Sequence, residues 1–471
     1  MVLVLTMVVL QSISFSNYAL TTKTTNIIYG SAPYLTFDGG RTRVTNTEAL
    51  LGISLSDGRT FTPTTNNSSY RNPIILPVAG QSFNDIGMLV PRNTNSIALS
   101  SLIGTPYNYW GDDDGDGQGV NGVTATGSLN LSIVDKWGLA VARNEVLNIC
   151  KAPYKLTLSN DSGTLKTRYG VPNESRFSAS NAVYYINPNP NISSPLICFA
   201  RPTPQPANGF IVPASIWDRD KGGVLTQSVT PSSYGSNFPT TGANNLYFDL
   251  DIVGNNQVLS WAPVSHGGIT ATMTNSTSTR VRVTLTGPVA TPSQWSSDNP
   301  GQINRLSLPQ VFELVGRDSS GNAVLKYGFV LKQWFVNRGN YGSTYTYSSM
   351  ESWCNKIGGY RLPKVKDLTN AGCQGSVLQH RCGDNVNEVV EATPPYPDGN
   401  YARPYIGVGF FAEWGELDHY PNANFIRDLY YEKSYLTSEQ TSDSRVYFRV
   451  FLSGKIWVRG GSSGYGICTY P

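Results

Sequence analysis

Apolar and polar residues alternate along NNLYFDLDIVGNNQ (244–257), which puts Leu246, Phe248, Leu250 and Ile252 on one face and Asp249 and Asp251 on the other. TRVRVTLTG (279–287) repeats the pattern, with Val281, Val283 and Leu285 inward and Arg280 and Arg282 outward. Successive side chains of a strand point to opposite faces, so this spacing, bounded by GNN and GP turns, predicts half-buried antiparallel strands of a sandwich. Asp249 and Asp251 read as a solvated strand face rather than as cation ligands. Upstream, segments such as IIYGSAPYLTF (27–37) and SLNLSIV (128–134), bounded by Gly, Asn and Asp, predict a first β-rich region. INPNPNISSPLICFARPTPQP (186–206) closes it. Proline lacks the amide donor that a central strand needs, so this passage is expected as an extended edge followed by a linker.

Helical signals are confined to the last region. Ser348-Ser349-Met350-Glu351 has the form of a capping box, with a helix carrying Trp353 and Cys354 that stops at Gly358-Gly359. Pro363 is placed to open a second short helix with Val365 and Leu368 on one face. Aromatic-rich strands and long loops follow, down to VYFRVFLSGKIWV (446–458). The division expected is a signal segment at 1–20, an N-terminal β-rich domain at 21–206, a β-sandwich at 207–333 and a distinct α+β domain at 334–471.

Composition sharpens this picture. Only 14% of the 471 residues are charged, and Gly, Ser, Thr, Asn and Tyr abound, which suits short strands and tight turns in an all-β secreted or surface protein. A net charge of +3 over this length offers no basic patch, so nucleic acid is excluded as a partner. MVLVLTMVVL at the start is far shorter than the ~20 residues a bilayer span requires. It has the character of a secretory signal core, with small and polar residues following and a cut after Ala19, although the usual positive start is missing. The alternative is a buried first strand. Nothing later is long and apolar enough for a membrane helix. The six cysteines fit export. Cys150 and Cys198 lie in the first half, and Cys354, Cys373, Cys382 and Cys468 in the last quarter, so clustering predicts one pair plus two pairs. With no C-x-x-C and three histidines, a zinc site finds no support.

GDDDGDGQG (111–119) raises the question of calcium. Alternate carboxylates followed by glycine suit a hard cation that takes six to eight oxygens. The helix-flanked calcium loop fails, because its last position, counted from Asp112, holds Val123 instead of glutamate. Two readings remain: a looser, weak Ca²⁺ site with Asp112, Asp114 and Asp116 as ligands, or a solvated acidic turn. No cofactor is otherwise required.

Taken together, WCNKIGGYRLPKVKDL, FFAEWGEL (410–417), YLTSE (435–439) and the terminal ICTYP resemble the C-terminal lectin-like domain of bacterial intimin/invasin-type adhesins. LICFARP (196–202), NFPTTGA (237–243), LSWAP (259–263) and ELVGRDSSGNAVLKYGFVLKQWF (313–335) are similar to the Ig-like and adhesin domains of that family. The resemblance implies a mostly β fold of tandem Ig-like sandwiches followed by a C-type-lectin-like α+β domain. It implies a bridge from the first helix to the last strand, at the positions of Cys354 and Cys468, and a second brace for which Cys373 and Cys382 remain. Trp414 matches the aromatic that anchors the middle sheet. The calcium and sugar-hydroxyl tripeptides of calcium lectins are missing. So is the N-terminal membrane β-barrel of the family, which would show as a run of alternating segments with aromatic girdles. The resemblance therefore implies a passenger, either released or exported by a separate outer-membrane barrel partner.

Three further readings bear on function. Gly460-Gly461-Ser462-Ser463-Gly464 matches G-x-S-x-G, but sits in a small-residue turn between β segments, where no nucleophile elbow forms. His266, His380 and His419 lack an acid–nucleophile arrangement. The stretch YRLP also resembles the lectin-like fold of sulfatase-activating oxidases, although Lys366-Asp367-Leu368 stands where their acidic helix begins and Cys468 has no close cysteine companion. The preferred reading is a non-enzymatic adhesin that binds a host-cell or matrix receptor, protein or glycan, through its last domain. Aromatics with polar tips bury large areas at low entropic cost. On that ground the expected contact face comprises Tyr396, Tyr401, Tyr405, Glu413, Trp414, Glu416 and Tyr420.

Overall fold

The alternation is realised as sheet. The computed structural model describes residues 29–115, 122–190, 195–202, 216–218, 222–339, 343–372, 405–415, 417–425, 434–440, 446–458 and 463–471. The signal segment and the Cys373–Cys382 pair lie outside them. In the N-terminal region a five-stranded sheet runs in the order Ile74–Ile75, Ser180–Asn187, Tyr154–Asn160, Ser128–Val134, Ser96–Ala98. The first pair is parallel and the rest antiparallel. SLNLSIV buries Leu129, Leu131 and Ile133 and turns its polar residues outward. A second sheet, Glu174–Phe177, Gly163–Thr167, Val123–Thr126, adds Phe177, Leu165 and Val123 to the same core.

The second region is a sandwich. Its larger sheet is ordered Trp217–Asp218, Gly223–Leu225, Leu196–Arg201, Tyr247–Val253, Arg280–Thr286, Ile269–Thr274, Val264–His266 and is antiparallel throughout. Ser260–Trp261, Gln310–Arg317 and Ala323–Leu331 form the facing sheet. Phe248 from the first meets Phe329 from the second at 5.9 Å, edge to face, and Phe312 stacks on Phe329 at 5.1 Å. Leu246, Phe248, Leu250, Ile252, Val281, Val283 and Leu285 are all interior, as the period-two pattern requires.

The outward residues of the same strands pair across the ladder. Arg282 donates to Asp249 at 2.9 Å, opposite which it sits in register, and Arg201 reaches Asp251 at 2.7 Å. The face is not the solvated one expected: the Asp249 side chain is only 14% exposed and that of Arg282 35%, with the guanidinium 4.1 Å over the Tyr247 ring against which Tyr420 packs. A double-mutant cycle of Asp249→Ala with Arg282→Ala is therefore expected to give a coupling of about 0.5–3 kcal/mol by urea denaturation, more than an exposed pair gives.

Strand Leu196–Arg201 departs from expectation. It is no edge of the first region but an interior strand of the second sheet, between Gly223–Leu225 and Tyr247–Val253. The reason is local. Pro195 and Pro202 flank LICFAR, which itself contains no proline, so every residue within it keeps its amide donor. The Cys150–Cys198 bridge consequently ties the two regions to each other instead of stapling one of them. Lys136 reinforces that seam, 2.7 Å from Asp218 and 4.9 Å above the Phe199 ring.

The last region is continuous with the sandwich. Strand Gln333–Arg338 pairs in parallel with Thr241–Ala243 on one side and antiparallel with Gly466–Tyr470 on the other. Trp334 is fully buried, its indole N–H donating to the Pro288 carbonyl at 2.9 Å. A Cβ at Gly287 would stand 2.6 Å from its ring, so glycine makes room for it. Residues from Ile197 to Cys468 thus share one hydrophobic core, across the boundary expected at 334.

Helix Tyr347–Lys356 is capped by Thr346, whose hydroxyl accepts from Ser349 N–H at 3.3 Å. The cap falls two residues before the expected Ser348, because Thr346 is the last extended residue and Ser348 already lies within the helix. Gly358 and Gly359 stop it at φ of 106° and 86°, left-handed values that favour glycine. Cys354 from this helix is bridged to Cys468 in the final strand. Helix Val365–Leu368 follows Pro363, and strands Ser434–Gln440, Tyr447–Phe451 and Ile456–Trp457 make a further sheet. Among the described residues no helix is long and apolar enough to cross a membrane.

Candidate functional site

The stretch expected to make contact forms a short helix, Phe410–Trp414, entered through Gly409 at φ 107°. A Cβ at Gly409 would lie 2.4 Å from the Thr369 amide nitrogen, so the backbone here packs directly against the loop after helix Val365–Leu368. Every side chain of the helix is buried. Glu413 is only 1% exposed and points at the turn Thr240–Thr241 of the sandwich.

That carboxylate is saturated with donors. Thr240 N–H reaches Oε1 at 2.7 Å, and Thr241 N–H reaches Oε2 at 3.0 Å. The two threonine hydroxyls stand 3.1 and 2.5 Å from Oε2. Trp414, beside it, donates its indole N–H to the Thr241 carbonyl at 3.0 Å and packs edge-on to Phe238 at 4.8 Å. Tyr420 closes the group against Trp414 and Tyr247, at 5.9 and 4.9 Å. Burial holds the Glu413 carboxyl above the usual carboxylate range, with the threonine and Gly407 donors pulling the other way. Burial likewise drives the Tyr420 hydroxyl well above a free phenol.

Glu413, Trp414 and Tyr420 are therefore not a contact face. They are the joint between the sandwich and the C-terminal region. Tyr405 is buried as well, and Tyr396, Tyr401 and Glu416 lie outside the described residues. An acidic residue amid aromatics reads as exposed when its donors are unseen, and here they sit 172 and 173 residues upstream. The missed residues are Thr240 and Thr241. The only signal for them was NFPTTGA, whose polar pair interrupts an otherwise apolar approach to the strand Thr241–Ala243.

Other motifs converge on the same body. Asp367 accepts from Arg361 at 2.6 Å, Gln333 at 2.9 Å and Lys364 N–H at 2.8 Å, donors that together hold its carboxyl below the usual range against the effect of burial. Glu439 of YLTSE accepts from Val365 N–H at 2.6 Å. Ser463–Gly464 is a strand paired with Tyr345–Thr346, while Gly460, Gly461 and Ser462 of the G-x-S-x-G match lie outside the described residues. Cys468 is spent in a bridge, so the cysteine chemistry of an oxidase has no thiol there.

The acidic loop of the N-terminal region behaves differently from a bare turn. Asp113 pairs with Arg43 and accepts from the Tyr34 hydroxyl at 3.1 Å, while Asp114 accepts from Ser31 N–H at 2.6 Å. Burial first, and then the bond to Asp113, keep Tyr34 above the usual phenol range and hence protonated as a donor. Asp116, the third ligand expected for Ca²⁺, lies outside the described residues. Among the described residues no group of three His, Cys, Asp or Glu side chains could hold a metal ion.

Comparison with known proteins adds the following. No protein-family model matches the chain. No curated protein matches it either. Among solved structures the chain is similar to invasin, a bacterial integrin-binding protein, with 12% identity and a TM-score of 0.33 over 74% of this chain and 51% of that one. It thus spans about half the length of the invasin structure. It is similar to a C-terminal 282-residue fragment of intimin in complex with the intimin-binding domain of the translocated intimin receptor, with 11% identity and a TM-score of 0.30 over 74% of this chain and 93% of the fragment. An intimin mutant of EHEC O157:H7 gives 12% identity and a TM-score of 0.25 over 50% and 89%. These are proteins of the type that the sequence motifs resemble.

Proposed function

We propose that this chain is an adhesin-like binding protein, secreted or displayed at a bacterial surface, that engages a host-cell or matrix receptor through its C-terminal region without catalysis of its own. The supporting observation is the joint. Glu413, Trp334 and strand Gln333–Arg338 weld the C-terminal region to the sandwich through one core, and the Cys150–Cys198 bridge fastens the sandwich to the N-terminal region. A rigid body loses little freedom on contact, which is what a presenting surface needs. The receptor is a protein or a glycan, and the C-terminal region is lectin-like.

The body that must be tested is 195–471, because excising 334–471 would strip Glu413 of its threonine donors and Gln333–Arg338 of its parallel neighbour. Residues 195–471, with Cys198 replaced by serine, are expected to bind host cells or immobilised matrix proteins saturably and as tightly as the full chain. Binding by the full chain but not by 195–471 would move the receptor site to the N-terminal region and overturn the reading.

A further inference from the structure

An open cleft of about 410 Å³ lies in the N-terminal region, lined chiefly by Tyr34, Phe37, Tyr107, Asn108, Tyr109 and Trp110. We propose that this cleft binds a neutral oligosaccharide. The site is separate from the C-terminal reading above, because residues 195–471 do not contain it.

Its construction starts from two segments. Strand Tyr34–Leu35 pairs with Trp110–Gly111, so Leu35 lies opposite Trp110 and Tyr34 opposite Gly111. Gly111 admits the Tyr34 ring, since a Cβ there would stand 2.5 Å from it. Before Trp110 the chain turns through Asn108 at φ 49°, a left-handed value that asparagine tolerates. Asn108 N–H and Tyr109 N–H are tied back to Gly104 and Leu102 at 2.9 and 2.7 Å. Tyr107 and Tyr109 emerge on either side of that turn with ring centroids 5.5 Å apart and planes at 51°.

The rings are held before any ligand arrives. Tyr107 donates its hydroxyl to Asn93 at 3.0 Å, and Tyr34 donates to Asp113 while Arg43 covers its ring at 4.9 Å. Fixed aromatic faces lower the ordering cost of binding. The volume falls in the range of about 300–1,000 Å³ typical of small-ligand sites.

Charge selects the ligand class. All ten residues that line the cleft are uncharged, and the nearby Arg43 guanidinium is paired with Asp113. A phosphate or carboxylate would meet no cation among these lining residues. An apolar ligand would waste the polar groups of the lining residues Asn108, Tyr109 and Trp110, whose side chains take no hydrogen bond among the described residues. A pyranose ring answers both features, since its C–H face stacks on aromatics and its hydroxyls both donate and accept. A proline-rich peptide offers the aromatic contacts, but its backbone brings carbonyl acceptors almost alone.

The test uses the full chain on an array of neutral animal-surface glycans beside neutral microbial and plant polysaccharides. Hits are then titrated by saturation-transfer NMR and calorimetry. At least one neutral saccharide family is expected to bind, and the position of the hits tells which source supplies it. Tyr107→Ala and Trp110→Ala are each expected to weaken binding by about tenfold or more. Trp110 packs on the core, whereas Tyr107 lies outside it, so Tyr107→Ala should keep the thermal transition of the parent. Asn108→Gly preserves the left-handed turn, deletes the amide, and should weaken binding by a smaller factor. Three results would overturn the assignment: no neutral saccharide bound, saccharide binding indifferent to Tyr107→Ala and Asn108→Gly, or capture of proline-rich peptides in place of sugars.

Discussion

Replacing Glu413 by alanine is expected to cost about 3–5 kcal/mol in urea denaturation, because the buried donors aimed at it lose their acceptor together. Glu413→Gln, which changes shape hardly at all, is expected to recover little of this. A backbone amide faces each carboxyl oxygen, Thr240 N–H at Oε1 and Thr241 N–H at Oε2. Either orientation of a glutamine side chain therefore sets its NH₂ group against a backbone N–H. Full recovery by glutamine would show that the site merely fills space.

The same residue gives a pH signature. Its carboxyl is raised in the folded chain by burial, so the fold holds a proton that the unfolded chain, with an ordinary glutamate near 4.3, has already released. Where the folded state binds more protons, stability falls as pH rises. The threonine hydroxyls, free to rotate, can accept from the protonated carboxyl, as the 2.5 Å contact to Thr241 permits. The advantage of the parent over Glu413→Gln should thus be largest below about pH 4 and shrink as pH rises through the raised value. An advantage that grows with pH would contradict the assignment.

Removing the Cys354–Cys468 bridge, as Cys354→Ala with Cys468→Ala, is expected to cost about 3–5 kcal/mol under non-reducing conditions. The bridge closes a span of 114 residues, and closure of a long span restricts the unfolded chain most. Both cysteines are fully buried, so alanine also leaves a small void between helix Tyr347–Lys356 and the final strand. The control is the pair Cys150→Ala and Cys198→Ala. That span is 48 residues and joins regions with separate cores, so its loss should free one region from the other with a smaller shift in either transition. A larger shift for the control would mean that the two regions unfold as one.

What local pattern can specify was legible. The strands Ser128–Val134, Tyr247–Val253 and Arg280–Thr286 follow from a period-two alternation that each segment carries in itself. The stop at Gly358 and Gly359 and the second short helix follow from residue types whose backbone preferences act over a few positions. Long-range pairing was not legible in this way. Proline density made 186–206 look like an edge, although the six residues of its strand are free of proline and the sheet placed them inside. Aromatic density made Glu413–Tyr420 look like a surface, but Thr240 and Thr241 turned it into a joint. The cleft has the same origin: Tyr34 and Phe37 meet Tyr107, Tyr109 and Trp110 only because two-residue strands, too short to announce themselves, pair there. Period and turn chemistry are properties of a window of sequence. Which buried donor finds which acceptor, and which rings share a wall, is a property of contacts whose chain separation no window spans, and only the tertiary structure decided them.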